Sequence, residues 1–252
     1  MKIGEKILRI ESCSSTNDHA NQLALQGEKE GTIIIAKEQT EGRGTKGRTW
    51  YSASQKGLYL SVILRPKRRD MSLLPLAAGL AVRDALSEAE GLPVRLKWPN
   101  DLICKGKKLG GILCEASFIG NQISHVILGI GINLSHERDD FPEEFRAQAT
   151  SLKLLLRKEI DKDFFLSKLW EILGDWYNFF LQGKDVQIIR VFEEYSIFSS
   201  GEKLTVETEK ERFKGEYRGH DLRGRLLLAT GERERSLLAA EVVEIKRGTT
   251  ED

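Results

Sequence analysis

Apolar and polar positions change their period several times along this chain, and each change predicts an element. Ile3 to Ile10 reads as a short strand. In ESCSSTNDHANQLALQG, Ser14, Ser15, Thr16 and Asn17 compete as helix N-caps. Ala20, Leu23 and Ala24 then give helical spacing, and Gly27 a stop. TIIIAKEQ carries three consecutive isoleucines, the pattern of a strand buried on both faces. EGRGTKGRT is a glycine-rich loop, and Leu58 to Leu64 returns as a strand. Ser72 to Glu90 predicts a helix, with Ser72 as cap and Pro75 tolerated in the first turn. From Arg95 to Asn133 short strands are separated by turn chemistry, predicting an antiparallel meander. SHERDDFPEEFRAQAT reads as a loop with at most one helical turn. Asp161 to Leu181 places Phe165, Leu169, Ile172, Trp176 and Phe179 along one broad helical stripe, and Asp185 to Tyr195 is a second helix. After Ser199-Ser200-Gly201 the segments KLTVET, RFKGEYRG, RLLLA and VVEI predict a small all-β unit. A unit of about fifty residues is marginal alone and leans on its neighbour. The pattern is α+β, a mixed and largely antiparallel sheet packed with helices, divided into 1–198 and 199–252.

Composition narrows the function classes. Lys and Arg number 39 against 38 Asp and Glu, a formal charge of +1. A nucleic-acid binder is expected to be basic as a whole, so none is expected as a partner. A 40% apolar content supplies a sizeable core and excludes a disordered chain. The run Leu73 to Val82 is far shorter than the roughly 20 residues of a membrane span. The start, MKIGEKILRIES, lacks the apolar core of a secretory signal. Three cysteines (Cys13, Cys104, Cys114), with no CxxC pair, argue against a disulfide framework or zinc site. The expectation is a soluble, cytoplasmic protein with no membrane partner. Neutrality nevertheless conceals a basic segment. Arg43 to Lys108 holds fourteen Lys and Arg against five Asp and Glu, a local charge of +9 that suits a site for anions.

The glycine loop Gly42 to Gly47, GRGTKG, matches GxGxxG after a buried strand. A dinucleotide turn, however, opens a helix and is followed roughly twenty residues on by an acid. Here strand and turn residues follow, with no acid until Asp70. The phosphate loop GxxxxGK[ST] fails similarly, with Arg48 at its lysine position. What remains is a flexible backbone carrying Arg43, Lys46 and Arg48 beside Trp50. Such a loop either grips carboxylate or phosphate or is a solvated basic hairpin. KWPND (Lys97 to Asp101) places a lysine at a strand end before a tight turn, where Asn100 and Asp101 can simply close an Asx-turn. Gly110-Gly111 and GIGIN (Gly129 to Asn133) mark close backbone approach by another strand or by a ligand. His19, His125, His136 and His220 are scattered and read as non-catalytic.

Taken together, SSTN (Ser14 to Asn17), EQTEGRGTKGRTW (Glu38 to Trp50), KWPNDLI (Lys97 to Ile103), KLGGIL (Lys108 to Leu113) and GIGIN resemble the biotin protein ligases, in that family's order. FPEEFRAQATSL and GEYRGHDLRGRLLL look like its later segments. The resemblance implies a class II synthetase-like catalytic domain plus a small SH3-like β-barrel. It implies that biotin's carboxylate attacks the α-phosphate of ATP to give biotinyl-5′-AMP. A lysine of a biotin carboxyl carrier protein then displaces AMP. Biotin and ATP would be substrates, Mg²⁺ is expected with ATP, and the protein would be a monomer or homodimer. Two unit charges 4 Å apart repel by about 4 kcal/mol at an effective dielectric of 20, so cations must bring carboxylate and phosphate together. By resemblance Lys97 bridges the two, and Arg43, Gly44 and Arg48 close over biotin and adenylate. Ser15, Thr16 and Gln39 suit the ureido end of biotin, and Asn17 is a further biotin-binding residue. Gly42, Thr45, Gly110, Gly111 and Gly129 complete its surround. Trp50 would cover the adenylate or biotin tail, Asn100 and Asn133 would serve the nucleotide, and Asp101 would help deprotonate the acceptor lysine. The family loop often has an arginine where Thr45 stands, which bears on adenylate retention. SSTN lies within fourteen residues of the start, leaving no room for the helix-turn-helix of bifunctional members. A lipoate or octanoate ligase and a non-catalytic biotin sensor are the alternatives. RNA binding by the β tail has little support, since its aromatics are sparse (Phe213 and Tyr217).

Overall fold

The computed structural model describes residues 2–246 apart from Glu159, Glu232 and Ala239. The ends of the expected division, Met1 and 247–252, thus lie outside the described residues. In chain order the first unit contains β1 (Ile7–Cys13), α1 (Thr16–Leu25), β2 (Ile33–Gln39), β3 (Gly57–Leu64), α2 (Leu74–Glu90), β4 (Arg95–Lys97), β5 (Asp101–Cys104), β6 (Lys107–Ile119) and β7 (Gln122–Asn133). It continues through α3 (Glu143–Arg146), α4 (Leu152–Leu156), α5 (Lys162–Leu181) and α6 (Asp185–Glu194). The tail adds β8 (Lys203–Glu207), β9 (Arg212–His220), β10 (Leu226–Thr230), β11 (Arg233–Leu237) and β12 (Glu241–Lys246).

The first unit is one seven-stranded sheet in the order β1-β2-β3-β7-β6-β5-β4. Only its β1–β2 pair is parallel, because α1 is the crossover that a parallel pair requires. The remaining strands pair antiparallel, with β6 and β7 forming a long hairpin. One face of this sheet carries the main core. Leu60, Val62, Ile112, Ile130 and Ile132 are all buried there in one cluster with residues of α2 and α5. On the other face Ile34, Ile63 and Ile127 form a smaller cluster with Ala20 and Ala24 of α1. Helix α5 begins where Asp161 caps it through Phe164 N–H at 3.0 Å.

The tail is a five-stranded antiparallel sheet of SH3-like kind, ordered β11-β10-β9-β8-β12. It leans on the first unit as its size demands. Leu204, Val206, Tyr217, Leu226 and Leu228 belong to the same continuous core. The buried Trp98 indole donates to Gly224 O at 2.9 Å. Gly224 turns there at a φ of 68°, where a Cβ would lie 2.7 Å from Leu73 of the segment leading into α2. No described helix is long and apolar enough to cross a membrane.

Several expected elements shift. The first strand starts at Ile7 because Gly4 adopts a φ of 83° and bonds Gly31 O. Ser72 is not the cap: the helix starts one residue later, so the cap position falls to Leu73, while Ser72 N–H donates to Asp70 at 3.0 Å. The loop after β7 holds a 3₁₀ turn, Arg138–Asp140, besides the single turn α3. Strand β11, RERSL, escaped the apolar pattern because it is almost wholly polar.

Candidate functional site

Along β7 the sequence LGIGIN alternates, and a strand's period of two sends its isoleucines into the core and Gly129 and Gly131 to the opposite face. Their cross-strand partners Ser61 and Tyr59 on β3, and Leu113 and Gly111 on β6, share that second face. Gly110 does not. It is paired with Ile132 on the core side, where a Cβ would meet Gly131 O at 2.7 Å and Leu102 at 2.9 Å. Of the two adjacent glycines, Gly111 alone faces the candidate site.

The start of α1 lies across the glycine face. Ser15 caps the helix, accepting from Asn17 N–H at 3.3 Å, and Ser15, Thr16 and Asn17 are all buried. Asn17 presses on Gly129, where a Cβ would come within 2.4 Å of Oδ1. Gln39 accepts from Thr16 N–H at 2.8 Å and donates to Ser52 Oγ at 2.8 Å. Gly42 is needed beneath this pair, since a Cβ there would lie 2.5 Å from Trp50 O and 2.7 Å from Ser52 Oγ.

Proton counting gives this floor a polarity. Thr16 Oγ1 lies 3.0 Å from Gln39 Oε1 and 2.8 Å from Ser61 Oγ, which lies 2.6 Å from Asn17 Oδ1. The two amide oxygens accept only, because Asn17 Nδ2 donates to Glu115 and Gln39 Oε1 already takes Thr16 N–H. Two hydroxyl protons therefore serve three oxygen–oxygen contacts, leaving acceptor capacity unfilled.

A second cluster is cationic. Lys97 ends β4, half-buried, and burial pushes its ammonium pKa below the usual lysine value. Asp101 and Glu241 oppose that shift, while Lys108 and Arg48 add to it. Asp101 pairs with Lys108 Nζ at 2.6 Å, and Arg48 pairs with Glu241 of β12 at 2.8 Å. Thr45 also holds Arg48, its hydroxyl accepting at 3.3 Å. Gly44 and Thr45 enter the 3₁₀ turn Thr45–Gly47, in which Lys46 has a φ of 58°. Arg43 reaches the other cluster, with Nη2 2.7 Å from Asp18 and 3.0 Å from Glu115.

Trp50 lies between the clusters. Its ring rests on Gly131 and Gly111, where Cβ atoms would approach to 2.7 and 3.4 Å, with Lys108 Nζ 5.5 Å from the centroid. The indole Nε1 is buried with no hydrogen-bond partner among the described residues. Such a donor costs about 1–3 kcal/mol until an acceptor reaches it, so Trp50 covers the slot at an expense a ligand can relieve. Asn100 N–H closes the turn on Lys97 O at 3.1 Å, its side chain donates to Ile112 O of β6 at 2.7 Å, and Asn133 donates to Thr150 O at 2.9 Å.

The +9 segment does not all serve this site. Arg43, Arg48, Lys97 and Lys108 do, whereas Arg65 bonds Ala24 O and Glu28 O at the end of α1, Arg68 grips Asp185, and Arg95 holds Ser196 O. Sequence reasoning left Glu115, Asp18, Ser61, Ser52 and Glu241 out of the site. The alternation that places Gly129 marks Ser61, but nothing local marks the carboxylates.

A strand-end lysine beside a loop arginine, with a buried hydroxyl–amide network on the same sheet face, suits a ligase that activates a small carboxylic acid at a phosphate. The Biotin/lipoate A/B protein ligase family matches residues 10–133. The bifunctional ligase/repressor BirA of Bacillus subtilis is 33% identical over 245 residues, 95% of this chain and 74% of that protein. The biotin–[acetyl-CoA-carboxylase] ligase of Mycobacterium tuberculosis is 32% identical, covering 94% of this chain and 88% of that one. The biotin protein ligase from Aquifex aeolicus in complex with biotin and ATP superposes with a TM-score of 0.83 at 30% identity, over 97% of this chain and 100% of that chain. The chain belongs to the biotin/lipoate A/B protein ligase family, among its biotin protein ligases.

Proposed function

We infer that this protein activates biotin with ATP to biotinyl-5′-AMP and transfers biotin to a lysine of a biotin carboxyl carrier protein. The observation that carries the reading is the pairing of an acceptor-rich floor with a cationic cluster at Lys97. Biotin is a neutral ureido ring with two N–H donors at one end and a carboxylate at the other. The floor of Ser15, Thr16, Asn17 and Gln39 suits the ring, with Gly129 admitting the Asn17 amide and Gly111 the Trp50 ring beside it. Lys97 would hold carboxylate against α-phosphate, and both anions would draw its depressed pKa back up. Arg43 and Arg48 would close over the phosphate side, with Trp50 over the tail. Asn100 and Asn133 would shape the nucleotide end, and Asp101 would receive the acceptor lysine's proton.

Mg²⁺ would enter as the complex with ATP. Among the described residues no three His, Cys, Asp or Glu side chains converge to hold a metal. Magnesium typically rides on substrate phosphates with one or two carboxylates and waters. Residues 1–198 would form the catalytic unit and 199–252 an appended β unit supplying Glu241. The carrier is a subunit of acetyl-CoA carboxylase or a related carboxylase, and the reaction would be cytoplasmic.

Biotin-dependent exchange of pyrophosphate into ATP tests the reading. Exchange with lipoate but not biotin would move the assignment to the lipoate ligases. Tight biotin binding with no exchange would favour a sensor.

A further inference from the structure

Arg43 and Glu115 are far apart in sequence, yet they close a ring of polar contacts. The ring leaves the glycine loop at Trp50 O, which accepts from Ser52 Oγ at 3.2 Å. It passes through Gln39, Thr16 and Ser61 to Asn17, whose Nδ2 donates to Glu115 Oε2 at 2.6 Å. Glu115 Oε2 also takes Arg43 Nη2 at 3.0 Å, which returns to the loop. The loop is thus tied at both ends through the floor of the slot.

Glu115 is the junction of that ring. Asn17 occupies the space that a side chain at Gly129 would fill, a Cβ there lying 2.4 Å from its Oδ1. Asp18 holds Arg43 as well, at 2.7 Å, but carries no hydrogen bond to the slot floor. Two carboxylates on one guanidinium leave the loop's anchor with a net negative surround. An incoming phosphate or carboxylate therefore competes with them for Arg43. The carboxylate anchored through Asn17 is the one whose hold depends on the floor.

We propose that Glu115 is a positioning residue that couples the glycine loop to the slot, so that seating the ring of the acid and seating Arg43 are one event. This rests on the function inferred above. A carboxylate serves two partners here, and they can be separated. Glu115→Gln keeps an acceptor for Asn17 and loses the charge on Arg43. Glu115→Ala loses both.

The experiment measures biotin-dependent pyrophosphate exchange, split into kcat and KM, with the effect of biotin on tryptic cleavage after Lys46 as a readout of the loop. In the wild type biotin is expected to protect the loop, and a wild type whose loop biotin leaves unprotected overturns the proposal. Glu115→Gln is expected to keep the KM for biotin within about threefold while kcat falls about tenfold and protection is lost. Glu115→Ala is expected to raise the KM about tenfold as well. If that variant does not fold, the altered kcat and lost protection of Glu115→Gln at an unchanged KM decide the matter. Protection and kcat in Glu115→Gln within twofold of wild type overturn the proposal, as does a KM that rises equally in both variants. A wild type with no biotin-dependent exchange sinks the functional reading and this proposal together. Normal wild-type exchange with an unaffected variant sinks the proposal alone.

Discussion

The two faces of the seven-stranded sheet use the same strands for opposite ends. Behind it, Leu60, Ile112, Ile130 and Ile132 are at most 2% exposed and pack as an ordinary core. In front, Ser61, Gly111, Gly129 and Gly131 bury little of their own and admit α1 and Trp50. On that same face Tyr59 is 1% exposed, and Ile34, Ile63 and Ile127 pack a smaller cluster with Ala20 and Ala24 of α1. Large side chains fill one side throughout, and on the other they give way at Ser61 and the three glycines, where the candidate site lies. Because the strand period is two, a single alternating run does both. The division predicts that activity and stability separate by face.

The sharpest separation is expected at Lys97. Lys97→Ala should lose about 10²- to 10³-fold in pyrophosphate exchange, the cost of removing one preorganised transition-state partner. Stability should not fall with it. Burial lowers the Lys97 pKa, so the folded state disfavours the charged form relative to the unfolded chain. That penalty is present at neutral pH and fades as pH rises above the folded pKa, where the unfolded state binds more protons. Thermal melts of Lys97→Ala at neutral pH should therefore show an equal or higher Tm, and near-normal exchange in the folded variant would end its assigned role. On the other face, Leu60→Ala should cost about 3 kcal/mol of stability, within the usual range for a buried leucine. Its denaturant midpoint should drop while exchange by the folded fraction stays within a few-fold of wild type.

Where β7 runs out, His136 belongs to neither face. It is fully buried and stacked on Phe141 at 4.8 Å, and burial pushes its pKa down to about 4. The folded pKa lies below the unfolded one, so stability is complete above about 6.5 and is lost as pH falls from there towards 4. Between pH 7 and 5 the loss should reach about 2 kcal/mol, one proton's linkage over that window. His136→Phe should flatten this limb in urea titrations, and an unchanged limb would assign the acid sensitivity to other groups.

Much of this was legible in the chain because its cause was local. The three isoleucines of TIIIAKEQ announce a strand, and Ile33 and Ile34 are fully buried in β2. Gly27 was expected to end α1, and it follows the cap Gln26 with a φ of 89°. The glycine pairs correctly signalled close approach, but whether to strand or ligand was open. The answer differs between neighbours, Gly110 meeting Gly131 O and Gly111 meeting the Trp50 ring. What stayed illegible depends on contacts distant in sequence. Glu115 and Glu241 look like surface carboxylates until the fold brings Arg43 and Arg48 to them. For the same reason the basic segment looked like one site, although Arg65, Arg68 and Arg95 hold helix ends and loops through backbone carbonyls.

The smallest effect on stability concerns the link between the site face and the tail. Arg48 and Glu241 are 52% and 40% exposed, and an exposed ion pair contributes about 0.2–1 kcal/mol that salt screens away. Glu241→Gln should therefore hardly move the Tm, and less still at high ionic strength. Its electrostatic consequence is larger than its structural one, because Glu241 also acts on Lys97 and favours its charged form. Removing that carboxylate leaves burial, Lys108 and Arg48 opposed only by Asp101, so the Lys97 pKa falls further. If the protonated lysine joins carboxylate to phosphate, the alkaline limb of the exchange rate should move to lower pH in Glu241→Gln. Glu241→Asp, which keeps the charge, should restore it in part. A pH profile identical in all three proteins would show that the tail touches the site without tuning it.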